Sequence, residues 1–138
     1  MRLTRRYRFS ASHRLHSEQL SEAANDATYG KCNNPYGHGH NYVLEVTVRG
    51  AVDPVTGRLA DLPSLDEFVQ QEIVSRYDHR NLNEQVPELA GLVPTTEVVS
   101  EAIHGRLRTA WPSDWPALDR VRIWETRNNI FEVGKESV

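Results

Sequence analysis

The stretch His38-Gly39-His40-Asn41-Tyr42-Val43-Leu44-Glu45-Val46-Thr47-Val48-Arg49 decides how this chain folds. A β-strand sends successive side chains to opposite faces. His38, His40, Tyr42, Leu44, Val46 and Val48 then share one face; Gly39, Asn41, Val43, Glu45, Thr47 and Arg49 share the other. This period of two reads as a half-buried strand over residues 38–49. Both histidines fall in the apolar register. Two imidazoles side by side on one face suit a transition metal such as zinc, which usually takes at least one more protein ligand.

Immediately upstream, Lys31-Cys32-Asn33-Asn34-Pro35-Tyr36-Gly37 places the chain's lone cysteine before the histidine pair. Cys32 is either an additional ligand or a free thiolate, acting as base or nucleophile beside the metal. Asn33 to Gly37 is turn chemistry. Residues 2–13 alternate as well: Leu3, Tyr7, Phe9 and Ala11 fall on one side, with Arg5 the exception, and His13 ends the strand on that same side. Antiparallel pairing of the two strands puts the end of the first beside the start of the second. His13 then joins His38 and His40, and the matched register predicts a three-histidine zinc site. Between the strands, residues 14–37 lack a strong period, and residues 17–24 are compatible with a short helix. A connection of this length favours a functional role.

Downstream, Gly50 to Gly57 reads as a turn around Asp53-Pro54. A helix opens at Pro63-Ser64, where Ser64 and Glu67 have capping-box spacing, and runs to Asp78-His79. Leu65, Phe68, Val69, Ile73 and Tyr77 are its apolar stripe. Residues 80–93 read as loop. A second helix begins at Pro94-Thr95-Thr96-Glu97, with a threonine cap and an acid in its first turn, and ends at Trp111-Pro112. Residues 119–127 form a third strand, in which Glu125 shares a face with Val121 and Ile123 and so needs a polar partner. Asn128-Asn129 turns into a fourth strand, Ile130 to Lys135. The order is ββααββ: a single α+β domain over residues 1–138, with two helices on one face of a four-stranded antiparallel sheet. The opposite face carries Arg2, Arg6, Arg8, Arg49, Arg120 and Arg122, and open sheet edges invite pairing between subunits.

With 138 residues, 38% hydrophobic and 25% charged, the chain reads as one soluble globular domain. A net charge of −3 argues against a nucleic-acid binder driven by overall basicity. No apolar run approaches a membrane span, and residues 1–7 lack the apolar core of a signal peptide. One cysteine permits no intrachain disulfide, which fits a reducing cytoplasm. No glycine-rich dinucleotide fingerprint is present. His16, His104, Arg14, Lys31 and Arg127 read as solvated surface.

Several motifs together resemble the 6-pyruvoyl tetrahydropterin synthase family. They are Phe9-Ser10-Ala11-Ser12-His13-Arg14-Leu15, Gly30-Lys31-Cys32-Asn33-Asn34-Pro35, Gly37-His38-Gly39-His40-Asn41-Tyr42, Asp53-Pro54, Thr56-Gly57, Asp78-His79, Asn81-Leu82, Thr95-Thr96-Glu97 and Glu125-Thr126-Arg127-Asn128-Asn129-Ile130. The resemblance implies the tunnelling fold, with three ββααββ units closing a barrel and two trimers stacking as a homohexamer. It implies Zn²⁺ on His13, His38 and His40, Cys32 as base supported by Asp78 and His79, and Glu125 as anchor of the pterin ring, with Thr95 and Thr96 nearby. The implied reaction converts 7,8-dihydroneopterin triphosphate to 6-pyruvoyl tetrahydropterin by triphosphate elimination and internal redox rearrangement. The similar 6-carboxytetrahydropterin synthases, which feed deazaguanine (queuosine) synthesis, are the nearest alternative; a non-catalytic, zinc-stabilised assembly module is a more distant one. Five residues separate Cys32 from His38, as in pyruvoyl-forming relatives.

Overall fold

Strands β1 (Arg2–His13) and β2 (His38–Arg49) pair antiparallel along their full lengths in the computed structural model, which describes residues 1–134. The register sets His13 opposite His38, Ala11 opposite His40 and Phe9 opposite Tyr42. β2 also pairs antiparallel with β4 (Ala117–Trp124), with an irregularity at Thr47/Val48, and β4 pairs with β5 (Ile130–Gly134). A two-residue strand, β3 (Arg80–Asn81), adds to β1 in parallel. The sheet therefore has five strands, in the order β3-β1-β2-β4-β5, where the sequence predicts four. The addition lies in residues 80–93, read as loop, because a two-residue bridge leaves no hydrophobic period. A short 3₁₀ turn, Pro87–Leu89, follows in the same segment.

The long connection after β1 holds helix α1 (Glu22–Tyr29), beginning where the sequence reading places a helix end. Ser21 caps it by accepting the Ala24 N–H, and buried Asn25 ties it back to Ser17, Leu20 and Ser21. The predicted helix from Pro63 is α2 (Leu62–Val69), continued through a π-helical turn, Gln70–Val74, into α3 (Ser75–Tyr77). Asp61 stands at its N-cap and Pro63 in its first turn, so Ser64 is no cap; its hydroxyl donates to Asp61 instead. Proline suits the first turn, whose N–H groups have no intrahelical partner. Thr95 caps α4 (Thr96–Ala110) by accepting the Val98 N–H, as predicted. β4 stops at Trp124, short of the predicted residue 127, and Asn128-Asn129 lies in the following turn; Lys135 lies outside the described residues.

The apolar face of the sheet, including Phe9, Tyr42, Leu44, Val46, Val121 and Ile123, packs against Leu65, Val69, Ile73, Tyr77, Val99, Ile103 and Leu107 from the helices. The chain is thus an α+β layer structure with helices over one sheet face. Arg5, the exception in the apolar register of β1, is accommodated by Asp66 of α2. Its guanidinium bonds both carboxylate oxygens, at 3.1 and 2.5 Å, and the Tyr7 hydroxyl donates to the same group at 2.7 Å. On the other face, Glu45 is buried beneath Arg6 (2.7 Å) and Arg122 (3.7 Å).

The hydrogen bond from Arg5 holds the Asp66 carboxyl below its ordinary range. A depressed folded pKa contributes stability that is present above the unfolded value and lost as pH falls through the folded value. Asp66→Asn is therefore expected to lower unfolding free energy by about 0.5–1 kcal/mol at pH 7, the low figure reflecting partial exposure. In urea titrations the difference from wild type should shrink below about pH 4. A difference that stays constant to pH 2.5 contradicts the charged clamp.

Candidate metal centre

The β1–β2 register delivers three imidazoles to one point. Ring centroids are 4.8 Å apart for His13–His38, 5.0 Å for His13–His40 and 4.7 Å for His38–His40. His13 is 1% exposed. Its Nδ1 lies 2.9 Å from the Pro94 carbonyl oxygen, which has only lone pairs to offer, so Nδ1 carries the proton and donates. The Nε2 lone pair is left free, and this atom is buried with no hydrogen-bond partner among the described residues. His38 Nε2 and His40 Nε2 face one another at 2.9 Å. Two nitrogens at that distance need a shared proton or cation between them. Burial holds the pKa values of His13 and His40 below the ordinary range, so both favour the neutral form that ligates metal. An orphaned buried lone pair, an outer carbonyl fixing the tautomer and a neighbouring nitrogen pair fit a transition metal.

Gly37 makes the approach of β2 possible. Its φ is +73°, and a Cβ there would lie 3.1 Å from the His13 carbonyl oxygen. Cys32 sits on the 3₁₀ turn Gly30–Asn33, and its carbonyl accepts the Leu15 N–H at 2.7 Å. Its sulfur and the ligating atoms of His13 and His38 all lie within 4.8 Å of one another. The thiol thus joins the histidines, either as ligand or as free neighbour. Burial raises its pKa, and the Glu125 charge raises it further.

Glu125 follows the last residue of β4, keeping the alternation of Val121 and Ile123. Its carboxylate accepts a hydrogen bond from Thr96 and stands 3.9 Å from His40 Nε2. Thr96 opens α4 and is buried, so the predicted partner of the half-buried acid comes from a helix N-terminus. Thr95 spends its hydroxyl on the cap, and the preceding Pro94 carbonyl orients His13. One short segment, 94–96, therefore bonds both His13 and the acid.

Asp78 and His79 make no hydrogen bond to this group among the described residues. Asp78 accepts the Ser10 N–H at 2.8 Å, the main reason its pKa lies below the usual carboxylate range, and its other oxygen meets His79 Nδ1 at 3.0 Å. His79 has a left-handed backbone, φ +58°, stabilised by its N–H bond to the Ser10 carbonyl. Its side chain is 80% exposed, and His79 lines one cavity with Ser10, Asn41 and Tyr42 and a second with Gly39 and His40. The hydrogen bonds of the pair go to Ser10 of β1 and to each other, with none to Cys32 among the described residues. Tyr42 and the Pro94 carbonyl were not singled out as site residues in the sequence. The signal for Tyr42 is its place two residues after His40, on the same face; a backbone carbonyl leaves none.

These groups could hold a metal ion, with His13, Cys32 and His38 close enough to share one and a hydrogen-bonded carboxylate beside them. Known proteins resolve the class further. The family described as 6-pyruvoyl tetrahydropterin synthase matches residues 2–136. A 6-pyruvoyl tetrahydrobiopterin synthase of Poecilia reticulata is 48% identical over 128 residues, which is 93% of this chain and 86% of that protein. The Homo sapiens protein of the same name is 45% identical over 128 residues, 93% of this chain and 87% of its own length. The solved structure of Caenorhabditis elegans 6-pyruvoyl tetrahydropterin synthase superposes with a TM-score of 0.90 at 42% identity, covering 97% of this chain and 94% of that one. The chain belongs to the 6-pyruvoyl tetrahydropterin synthase family.

Because burial and Glu125 both disfavour the thiolate, Cys32 of metal-free protein should alkylate with a pH midpoint above the ordinary thiol value of ~8.5. Iodoacetamide rates between pH 6 and 10 test this. A midpoint at or below 8 contradicts the electrostatic description of the empty cluster.

Proposed function

We propose that this chain is a carbon–oxygen lyase that converts 7,8-dihydroneopterin triphosphate to 6-pyruvoyl tetrahydropterin, with Zn²⁺ held by His13, His38 and His40. The carrying observation is the convergence of three imidazoles, one with an orphaned and tautomer-fixed Nε2, beside Cys32 and Glu125. Bound zinc would supply Lewis acidity toward the substrate's side-chain hydroxyls and so acidify the adjoining C–H bonds. Cys32 Sγ takes the carbon-bound proton, since a nearby cation reverses the burial effect on its pKa. The Glu125 carboxylate, supported by Thr96 and with Thr95 nearby, accepts the N–H groups of the pterin ring. His79, oriented by Asp78, moves protons between the side-chain oxygens and solvent. Triphosphate departs with the electrons of its C–O bond. The two electrons lost as the side chain becomes a diketone reduce the ring, so no external oxidant enters.

The proposal includes an assembly that completes the site between chains. The exposure of His79 at 80%, bonded to Asp78 and not to Cys32, supports a homohexamer, a dimer of trimers, in which one chain's His79 reaches another chain's Cys32. The arginine-rich sheet face and the open edges at β3 and β5 are surfaces such an assembly covers. Among the described residues no helix is long and apolar enough to cross a membrane. A cytoplasmic location is part of the proposal, supported by the lone thiol.

Purified protein given dihydroneopterin triphosphate should release triphosphate without acetaldehyde. Acetaldehyde in step with triphosphate means cleavage of the side chain, the carboxy-forming reaction. Cys32→Ala should retain one zinc per chain and lose most turnover; unchanged turnover removes the thiol from the chemistry. Cys32→Ala and His79→Ala proteins, each inactive, should regain activity when dissociated together and reassembled. No recovery in verified mixed oligomers contradicts a site shared between chains.

A further inference from the structure

The Cys32 sulfur makes no hydrogen bond among the described residues, so the backbone of its 3₁₀ turn sets where the thiol stands. That backbone is gripped by the three residues that follow His13. The Leu15 N–H donates to the Cys32 carbonyl at 2.7 Å, and Arg14 Nε donates to the Asn33 carbonyl at 3.1 Å. His16 Nδ1 meets Asn33 Oδ1 at 3.0 Å. The other end of the same amide, Asn33 Nδ2, donates to Asp26 of α1 at 2.9 Å. A carboxylate only accepts, so the amide turns its nitrogen to Asp26 and its oxygen to His16, whose Nδ1 then carries the proton. Arg14 is itself held from behind: its N–H and its carbonyl both bond the Asn83 side-chain amide, at 2.7 and 2.8 Å. Arg14 and His16, which read as solvated surface in the sequence, are half-buried parts of this clamp.

We propose that Asn33 is a positioning residue: its side chain pins the Cys32 turn between His16, on the continuation of β1, and Asp26 of α1, and so fixes where the thiol stands relative to the histidines. The inference rests on the reading of Cys32 as the base. β1 delivers His13, and the next three residues deliver the grip on residues 32 and 33. Thiol and imidazole are thus placed from one continuous stretch, His13 to His16. The Leu15 and Arg14 bonds reach main-chain oxygens and survive a change of side chain at position 33. The bond to Asp26 does not, and with it goes the tie between the turn and α1. The sulfur and the ligating atoms of His13 and His38 lie within 4.8 Å of one another. At such range a displacement of about 1 Å in a reacting group can cost about 100-fold in rate.

The test uses zinc-loaded, full-length protein and 7,8-dihydroneopterin triphosphate, with and without deuterium on the side-chain carbons. Asn33→Ala should lower kcat about tenfold with KM within about twofold of wild type, because the thiol is displaced and the contacts to the pterin are not. Zinc content should remain one per chain and Tm within about 3 °C. Deuterium should slow the variant at least as much as it slows wild type. Exchange of the Leu15 amide should quicken at least about threefold, since its acceptor lies on the loosened turn. Asn33→Asp sets two carboxylates face to face and should be as slow as Asn33→Ala. Adding Asp26→Asn restores a donor to that contact and should return kcat to within about threefold of wild type. Unchanged kcat or unchanged Leu15 exchange in Asn33→Ala overturns the proposal. So does a loss fully accounted for by zinc content or Tm, a vanished isotope effect, or a double variant no faster than Asn33→Asp. Cys32→Ala separates the two levels. If it turns over like wild type, the reading of the base fails and this inference with it. If it is inactive while Asn33→Ala and Asn33→Asp are not slowed, only the role of Asn33 fails.

Discussion

The register of β1 against β2 is the constraint on which the rest depends. A slip of one residue would turn every side chain of a strand to the opposite face. His13 would leave the histidine pair, and Phe9 and Ala11 would leave the core with it. The site and the hydrophobic core are therefore specified by the same pairing. Burial of Phe9, Tyr42, Leu44, Val46 and Val48 on one face enforces the register, and the histidines inherit it. Gly37 completes the arrangement by letting the chain turn tightly against the His13 carbonyl before β2 begins.

The centre gathers polar groups at the edge of that core, and each buried group needs an answer. Pro94 answers His13, Thr96 answers Glu125, and the cap of α4 supplies both from consecutive residues. What remains unanswered is informative. His13 Nε2, His38 Nδ1 and the Tyr42 hydroxyl are buried without partners among the described residues, and two of the three belong to the candidate ligands. Arg76 Nε, Arg120 Nε and Trp124 Nε1 are also buried without partners, so stranding alone marks no site; at the centre it coincides with converging imidazoles.

Much of this was legible because strands encode their faces in a period of two. The limits of β1 and β2, the shared face of three histidines, the Thr95 cap and the need of Glu125 for a partner all follow from alternation and capping chemistry. The short strand β3 was not legible, since two residues carry no period and its pairing is decided by where α3 ends. Helix α1 begins later than residues 17–24 suggest, because its start rests on Ser21 and Asn25, polar residues that carry no apolar stripe. That Asp78 and His79 bond to Ser10 of β1 and to each other is likewise invisible in sequence, because neighbours along a chain do not reveal their partners across it. Tyr42 read as core, and core it is; only its stranded oxygen sets it apart.

The central claim is that the register places three imidazoles, with Cys32 beside them but unbound, around one metal ion. Zinc K-edge X-ray absorption on the purified protein tests it directly. The account predicts a first shell of nitrogen or oxygen at about 2.0–2.1 Å containing three imidazoles and no sulfur. A sulfur shell at about 2.3 Å would make Cys32 a ligand and contradict its assignment as the free base.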